Sequence, residues 1–334
     1  MLLIIATILF VPPHWLPQSS GVSARLRGVT AVNERVAFAS GSDSTVLKTT
    51  DGGAHWQKLT VTSESLDFRD IDAIDERTVY LLSIGPGTAS RIYKTSDGGL
   101  TWMLQFRNEN PKAFFDAMTF WDEQHGIVFG DSLDGKFDVL MTENGGKLWT
   151  RIEPSQLPPA LANEGAFAAS GTNIAVVGRS RAWIGTGAAE KARVLRTSDH
   201  GHTWQVSDTP LAAGPSTGIF SIAFRDEKHG VIVGGDYSKE SEALNNLAFT
   251  SDGGVSWQLG SGLRGFRSVV AYVPGEKTPT LIAIGPSGAD YSTDDGRTWK
   301  AIDGPGFDTF SFAPGKRVGW AAGAKGSLAK LVFE

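Results

Sequence analysis

The sequence predicts an all-β, seven-bladed β-propeller of four-stranded blades, and three observations carry that expectation. A short motif recurs six times at blade-sized intervals. An apolar strand ending in glycine recurs seven times. The text between them alternates apolar and polar residues, with no sustained 3.6-residue period.

The motif, hydroxyl-x-acid-x-Gly-x-x-Trp, occupies residues 49–56, 95–102, 142–149, 197–204, 250–257 and 292–299. Its tryptophans, Trp56, Trp102, Trp149, Trp204, Trp257 and Trp299, follow one another at roughly 40–55 residues, the size of one propeller blade. Such a box suits a tight turn, with glycine at positive φ and the acid and hydroxyl holding backbone donors. The tryptophan that follows is expected to pack between blades. Calcium is excluded by ligand count: each box offers one carboxylate and one hydroxyl against the six to eight oxygens the ion takes, and Asn144 removes the charge from the third box.

Glycine-ended strands precede the boxes as VAFASG, VYLLSIG, GIVFG, IAVVG, GVIVGG and LIAIG, and a seventh, VGWAAG, follows the last box. The seventh unit runs out at GSLAKLVFE, one strand short. HWLPQ at residues 14–18 matches HWQKL at residues 55–59, so the N-terminal strand is expected to close the last blade. Pro17 suits an outermost strand, where a missing donor faces solvent.

Composition bounds the function. With 334 residues, 41% hydrophobic and 20% charged, the chain is globular. A net charge of -5 supplies no basic field for nucleic acid. The absence of cysteine removes disulfides, thiolate nucleophiles and cysteine zinc sites. The opening MLLIIATILFVPP is too short to span a bilayer and resembles the apolar region of a signal peptide, although no Lys or Arg precedes it. The expected organisation is therefore an apolar leader at 1–13 and one propeller domain at 14–334. The protein is expected to be exported to the periplasm or beyond, monomeric and without a stable membrane span.

The repeated TSDGGxTW resembles the Asp-box, or bacterial neuraminidase repeat, over nearly the whole chain from residue 14. That repeat occurs in sialidases, xyloglucan hydrolases, sortilin-type receptors and the photosystem II stability/assembly factor family. The stretch SARLRGVTAVNERVAFASGSDSTVLKTTDGGAHW is most similar to the last of these. The resemblance implies a non-enzymatic scaffold binding a protein or assembly intermediate, without a cofactor. The sialidase reading lacks its Arg-Ile-Pro segment, although Arg27, Arg69 and Arg267 each lie early in a first strand. No Gly-x-Gly-x-x-Gly opens a helix, so no dinucleotide site is expected.

Loop length points to one face. Between second and third strands the connection is brief in units one, six and seven, and long in units three, four and five (GDSLDGKF, GRSRAWIGTGAAEKAR, GGDYSKESEALNN). Long loops clustered on one face are where function sits. The polar residues assigned to that face are Arg69, Asp70, Asp116, Asp131, Glu164, Arg181, Asp236, Tyr237 and Arg267, with Trp183 available to stack on a ring. Carboxylates, arginines and an aromatic platform suit a protein partner or a saccharide. A carbohydrate-active propeller, with two carboxylates acting on a glycosidic bond, is the alternative to the scaffold. No metal is expected: His200 and His202 read as exposed turn residues of the fourth box, and FRDIDAIDE at 68–76 reads as a strand. PSQLPPALANEG at 154–165 reads as a proline-rich connection between blades three and four.

Overall fold

The computed structural model describes residues 12–333. Seven four-stranded antiparallel sheets form a ring: blade one spans 26–59, two 67–107, three 115–151, four 174–208, five 217–259, six 269–302 and seven 309–332. The fourth strand of blade seven is His14–Gln18, which pairs antiparallel with Leu328–Val332, Pro17 lying opposite Ala329 on the sheet edge. The closure read from HWLPQ is the one observed. The proposed leader lies, but for its last two residues, outside the described residues.

The hydrophobic core is distributed. Second strands such as Ala37–Gly41, Val79–Ile84 and Leu281–Gly285 are buried along their whole length, because each sheet is covered by a neighbouring blade on both faces. This explains why they read as continuous apolar runs rather than as alternation. Among the described residues, seven apolar clusters each join two adjacent blades, and six of them hold one box tryptophan: Trp56 between blades seven and one, Trp102 between one and two, and so on to Trp299 between five and six. The layer between blades six and seven takes its ring from Trp15, 4.8 Å from Phe307. Thus HWLPQ supplies the seventh tryptophan as well as the missing strand. Trp15, Trp149, Trp204 and Trp257 are buried, whereas Trp56, Trp102 and Trp299 are half-buried.

The six boxes fold alike. In the second, the Thr95 hydroxyl accepts the Gly99 N–H at 2.9 Å and donates to Asp97, whose Oδ1 accepts the Thr101 N–H at 2.9 Å. Asn144 does the same with its amide oxygen. After the acid the backbone is left-handed, at Gly52, Gly98, Gly145 and Gly253 in four boxes and at His200 and Asp295 in the others, which is why glycine recurs there. The turns also latch blades together. Lys48, just before the first box, donates to the carbonyl of Gly98 in the second at 2.9 Å; Lys94 donates likewise to Gly145 at 2.7 Å and Arg196 to Gly254 at 3.2 Å.

One strand assignment differs from the sequence reading. IAVV at Ile174–Val177 is the innermost strand of blade four, and RAWIG at Arg181–Gly185 is its second. Two apolar segments of similar length end in glycine here, and the long stretch before Ile174 contains no strand. The loop between second and third strands of this blade is therefore residues 186–192 rather than the whole of GRSRAWIGTGAAEKAR, and the longest excursion is the connection from blade three, residues 152–173, folded over the ring end.

Candidate ligand-binding site at the channel mouth

A β-bulge builds the site. In the innermost strand of four blades the pairing with the second strand skips one residue near its start: Arg27 in blade one, Arg69 in two, Asp116 in three and Phe220 in five. A bulged residue leaves the ladder, and its side chain is re-aimed. All four line one cavity of about 700 Å³ at the end of the channel opposite the boxes.

The cavity has three walls of different chemistry. The cationic wall holds Arg25, Arg27 and Arg69. Arg25 makes a two-pronged ion pair with Asp308 at 2.8 and 2.7 Å. Arg69 bonds Asp67 at 2.9 Å and the carbonyl of Ala168 at 3.1 Å. Arg27 has no hydrogen bond or ion pair among the described residues. Burial, then the charges of Arg69 and Arg25, pull its pKa down to about 10, so the folded state holds it charged at a cost.

The aromatic wall joins three segments. Phe167, from the connection 152–173, stacks on Phe220 with ring centres 4.0 Å apart, and Phe266 meets Phe220 edge-on at 4.6 Å. The half-exposed ring of Tyr237 closes the corner edge-on to Phe167 and Phe220, 6.0 Å from each.

The acidic wall is Asp116 and Asp131 from adjacent strands of blade three. Asp116 is pushed well above the carboxylate range, by burial first and then by the charge of Asp131; burial lifts Asp131 to about 6. The backbone of Ala168 hydrogen-bonds Asp116 and that of Ala166 hydrogen-bonds Asp131, while Asp116 Oδ2 is buried without a hydrogen-bond partner. Burial and the neighbouring charge thus favour the protonated form of Asp116, while Asp131, at about 6, is largely ionised near neutral pH. Gly165 leans so closely on Asp131 that a Cβ would sit 1.8 Å from Oδ1, which fixes glycine at the point where the connection crosses the mouth.

Of the residues assigned to this face from sequence, Arg69, Asp116, Asp131, Glu164 and Tyr237 line the cavity. Glu164 is committed elsewhere: it pairs with Arg193 (Nε to Oε1, 2.9 Å), accepts the Thr186 hydroxyl at 2.6 Å and the Leu161 N–H at 2.8 Å, and is buried. Asp70, one residue past the bulge, turns away from the cavity and accepts the Met118 N–H of blade three at 2.7 Å. Arg267 is buried against Asp290 at 2.9 Å. Asp236 sits at the rim, holding the backbone and hydroxyl of Ser238 at 2.9 and 2.7 Å.

Arg181 and Trp183 belong to the other end and the interior, a consequence of the strand reassignment in blade four. Arg181 begins a second strand on the box face and pairs with Glu227 at 3.1 Å. Trp183 is buried between blades four and five, stacked on Phe224 at 3.7 Å and donating to the Gly253 carbonyl at 2.8 Å. The sequence reading did not include Arg25, Arg27, Phe167, Phe220 or Phe266 among the site residues. Arg27, Arg69, Asp116 and Phe220 occupy one register position in their blades, so aligning the innermost strands on their glycine-ended partners is the signal that finds two of these five.

No protein-family model and no curated protein matches the chain. Solved structures do match it in fold. "YCF48 bound to D1 peptide" superposes with a TM-score of 0.67 at 17% identity, over 96% of this chain and 97% of that one. YCF48 from Cyanidioschyzon merolae gives 0.64 at 15% identity, over 96% and 99%. An ancestral GH74 enzyme gives 0.64 at 15% identity, over 95% of this chain and 46% of that one. Among the described residues no helix is long and apolar enough to cross a membrane. At these identities the likeness establishes a seven-bladed propeller fold shared along the chain.

Proposed function

We propose that the protein is an exported, Asp-box-type binding scaffold, similar in role to photosystem II stability/assembly factors, that takes an extended polypeptide segment bearing a carboxylate into the channel mouth. The observation that carries this reading is Arg27, a cation held partly out of water with no hydrogen-bonding anion of its own, facing a wall of stacked aromatic rings. A ligand carboxylate would supply the missing counter-charge, an apolar side chain would cover Phe167 and Phe220, and peptide N–H groups would meet the Asp131 carboxylate and the unpartnered Oδ2 of Asp116. The solved relative with a bound peptide supports the choice of a polypeptide. The same asymmetry argues for binding rather than turnover: the acids share one wall, and Glu164 is consumed by Arg193.

A second reading is a carbohydrate-active propeller, favoured by the half-exposed Tyr237 ring and the Asp116–Asp131 pair. One experiment separates the two. A peptide library with free and amidated C-termini, and a glycan array, are probed with wild type and with Arg27→Ala. The scaffold reading expects peptide hits that weaken on amidation or on acidic-to-amide replacement, fall at least about tenfold in Arg27→Ala as a charge-assisted contact is lost, and weaken with salt. Glycan binding unaffected by Arg27→Ala would overturn it.

A further inference from the structure

On the opposite end of the ring, we infer a binding site for a divalent transition-metal ion between blades three and four, formed by His125, His200 and Asp122. These side chains bring one candidate ligand atom each to within 4.8 Å of the others. A tetrahedral ion with bonds of about 2.0–2.2 Å holds its ligands roughly 3.4 Å apart, so side-chain rotations that turn the two imidazole edges toward one point would close the set. Asp122 is exposed and the two histidines are half-buried, so a water can reach the ion from the Asp122 side to complete the coordination.

Each imidazole is prepared in a different way. Asp122 and His125 lie in the turn joining the first two strands of blade three. The Asp122 carboxylate accepts the N–H groups of Gln124 and His125 at 2.8 and 2.9 Å, and the His125 Nδ1 lies 2.9 Å from both of its oxygens. An ion would take the place of the proton shared between them, so that Nδ1 and one carboxylate oxygen, already 2.9 Å apart, become two of its ligands. Blade five builds the same turn from Asp226 and His229, with Nδ1 at 2.9 Å, so the Asp-x-x-His turn alone serves the fold.

Blade three differs because a second imidazole arrives from the next blade. His200 stands in the fourth box, in the left-handed position that four other boxes give to glycine. Its ring lies 4.6 Å from that of His125, edge-on to Trp121 at 5.5 Å. Its Nε2 is buried and has no hydrogen-bond partner, an unfavourable state for a nitrogen lone pair or N–H that an ion would relieve. The neighbouring His202 turns the other way, toward Glu143 at 3.8 Å, so the sequential His-x-His is not the chelate. Two imidazoles and a carboxylate are the donor set of zinc, nickel and copper rather than of calcium or magnesium. A bound ion would tie blade three to blade four.

The test is calorimetric titration of untagged, chelator-treated protein with Zn²⁺, and electron paramagnetic resonance with Cu²⁺. One equivalent should bind, and the copper spectrum should show coupling to two nitrogens. His200→Gly, which installs the residue other boxes carry there, should weaken Zn²⁺ binding by about tenfold or more while leaving the metal-free melting temperature unchanged or raised. His125→Gln should weaken it likewise, whereas His202→Ala and His229→Gln should not. Absence of saturable Zn²⁺ binding, retention of full affinity in His200→Gly, or loss of it in His202→Ala would each overturn the inference.

Discussion

The side chain of Gln18 joins the last blade to the first through Trp56: its Oε1 accepts the indole Nε1–H at 3.0 Å, and its Nε2 donates to the Gly52 carbonyl at 3.1 Å. The closing strand therefore completes blade seven and grips the box turn of blade one at once. Deleting residues 1–18 should lower the melting temperature sharply, whereas deleting residues 1–12 should leave it close to wild type. Gln18→Ala alone should cost about 1–3 kcal/mol for two lost hydrogen bonds, read by urea unfolding.

The tryptophan layers should not be equivalent. Trp204 is buried between blades three and four and donates to the Gly201 carbonyl at 2.8 Å, so Trp204→Ala should cost about 3–5 kcal/mol. Trp102 is half-buried, and Trp102→Ala should cost clearly less. Equal losses in chemical denaturation would show that burial at the ring edge is not what these rings contribute.

Glu164→Ala and Arg267→Ala should act on stability. Each removes half of a buried ion pair, with Arg193 and Asp290 respectively; Glu164→Ala leaves the Arg193 charge uncompensated, which typically costs about 3–5 kcal/mol, whereas Arg267→Ala should cost less because Arg264 still holds Asp290 at 2.9 Å. Differential scanning calorimetry should register both. Loss of ligand binding at an unchanged melting temperature would instead make Glu164 a contact residue.

The acid pair should make stability fall as pH rises. Asp131 titrates near 6 in the folded protein against an ordinary 3.8, and burial raises Asp116 as well. Between about pH 4 and 6 the folded state then holds more protons than the unfolded one, so the contribution of Asp131 declines through that window, and the upward shift of Asp116 acts in the same direction. Asp131→Asn should flatten this decline in unfolding free energies measured from pH 4 to 7. A parallel curve for the variant would show that Asp131 is not the group responsible.

Much of the architecture was legible because each blade repeats the same local chemistry. The boxes mark a turn whose hydroxyl and acid bond backbone within four residues, and the match of HWLPQ to HWQKL carried the closure across the whole chain length. Blade four was misread because two glycine-ended apolar strands follow one another there and only pairing decides which is innermost. The same slip placed Arg181 and Trp183 at the mouth. Site residues were harder. Asp70 and Arg69 are adjacent, and a single bulge sends one to the cavity and the other to Met118; period-2 reasoning alone cannot see an inserted residue. The pairing of His200 with His125 was invisible for a related reason, since it joins turns of neighbouring blades that no local spacing connects.

The bulges also bear on how such a mouth can change. Arg27, Arg69, Asp116 and Phe220 sit where the ladder skips a residue, so none has a partner directly opposite in the pairing of the first two strands. Substitution there leaves that register intact, in contrast to the interleaved layers between blades, where a change in one ring is felt by two sheets. The fold thus separates the positions that decide what is recognised from those that keep the ring closed. A lineage could exchange a guanidinium for a carboxylate or a phenyl ring at four sockets and arrive at a different ligand on an unaltered chassis.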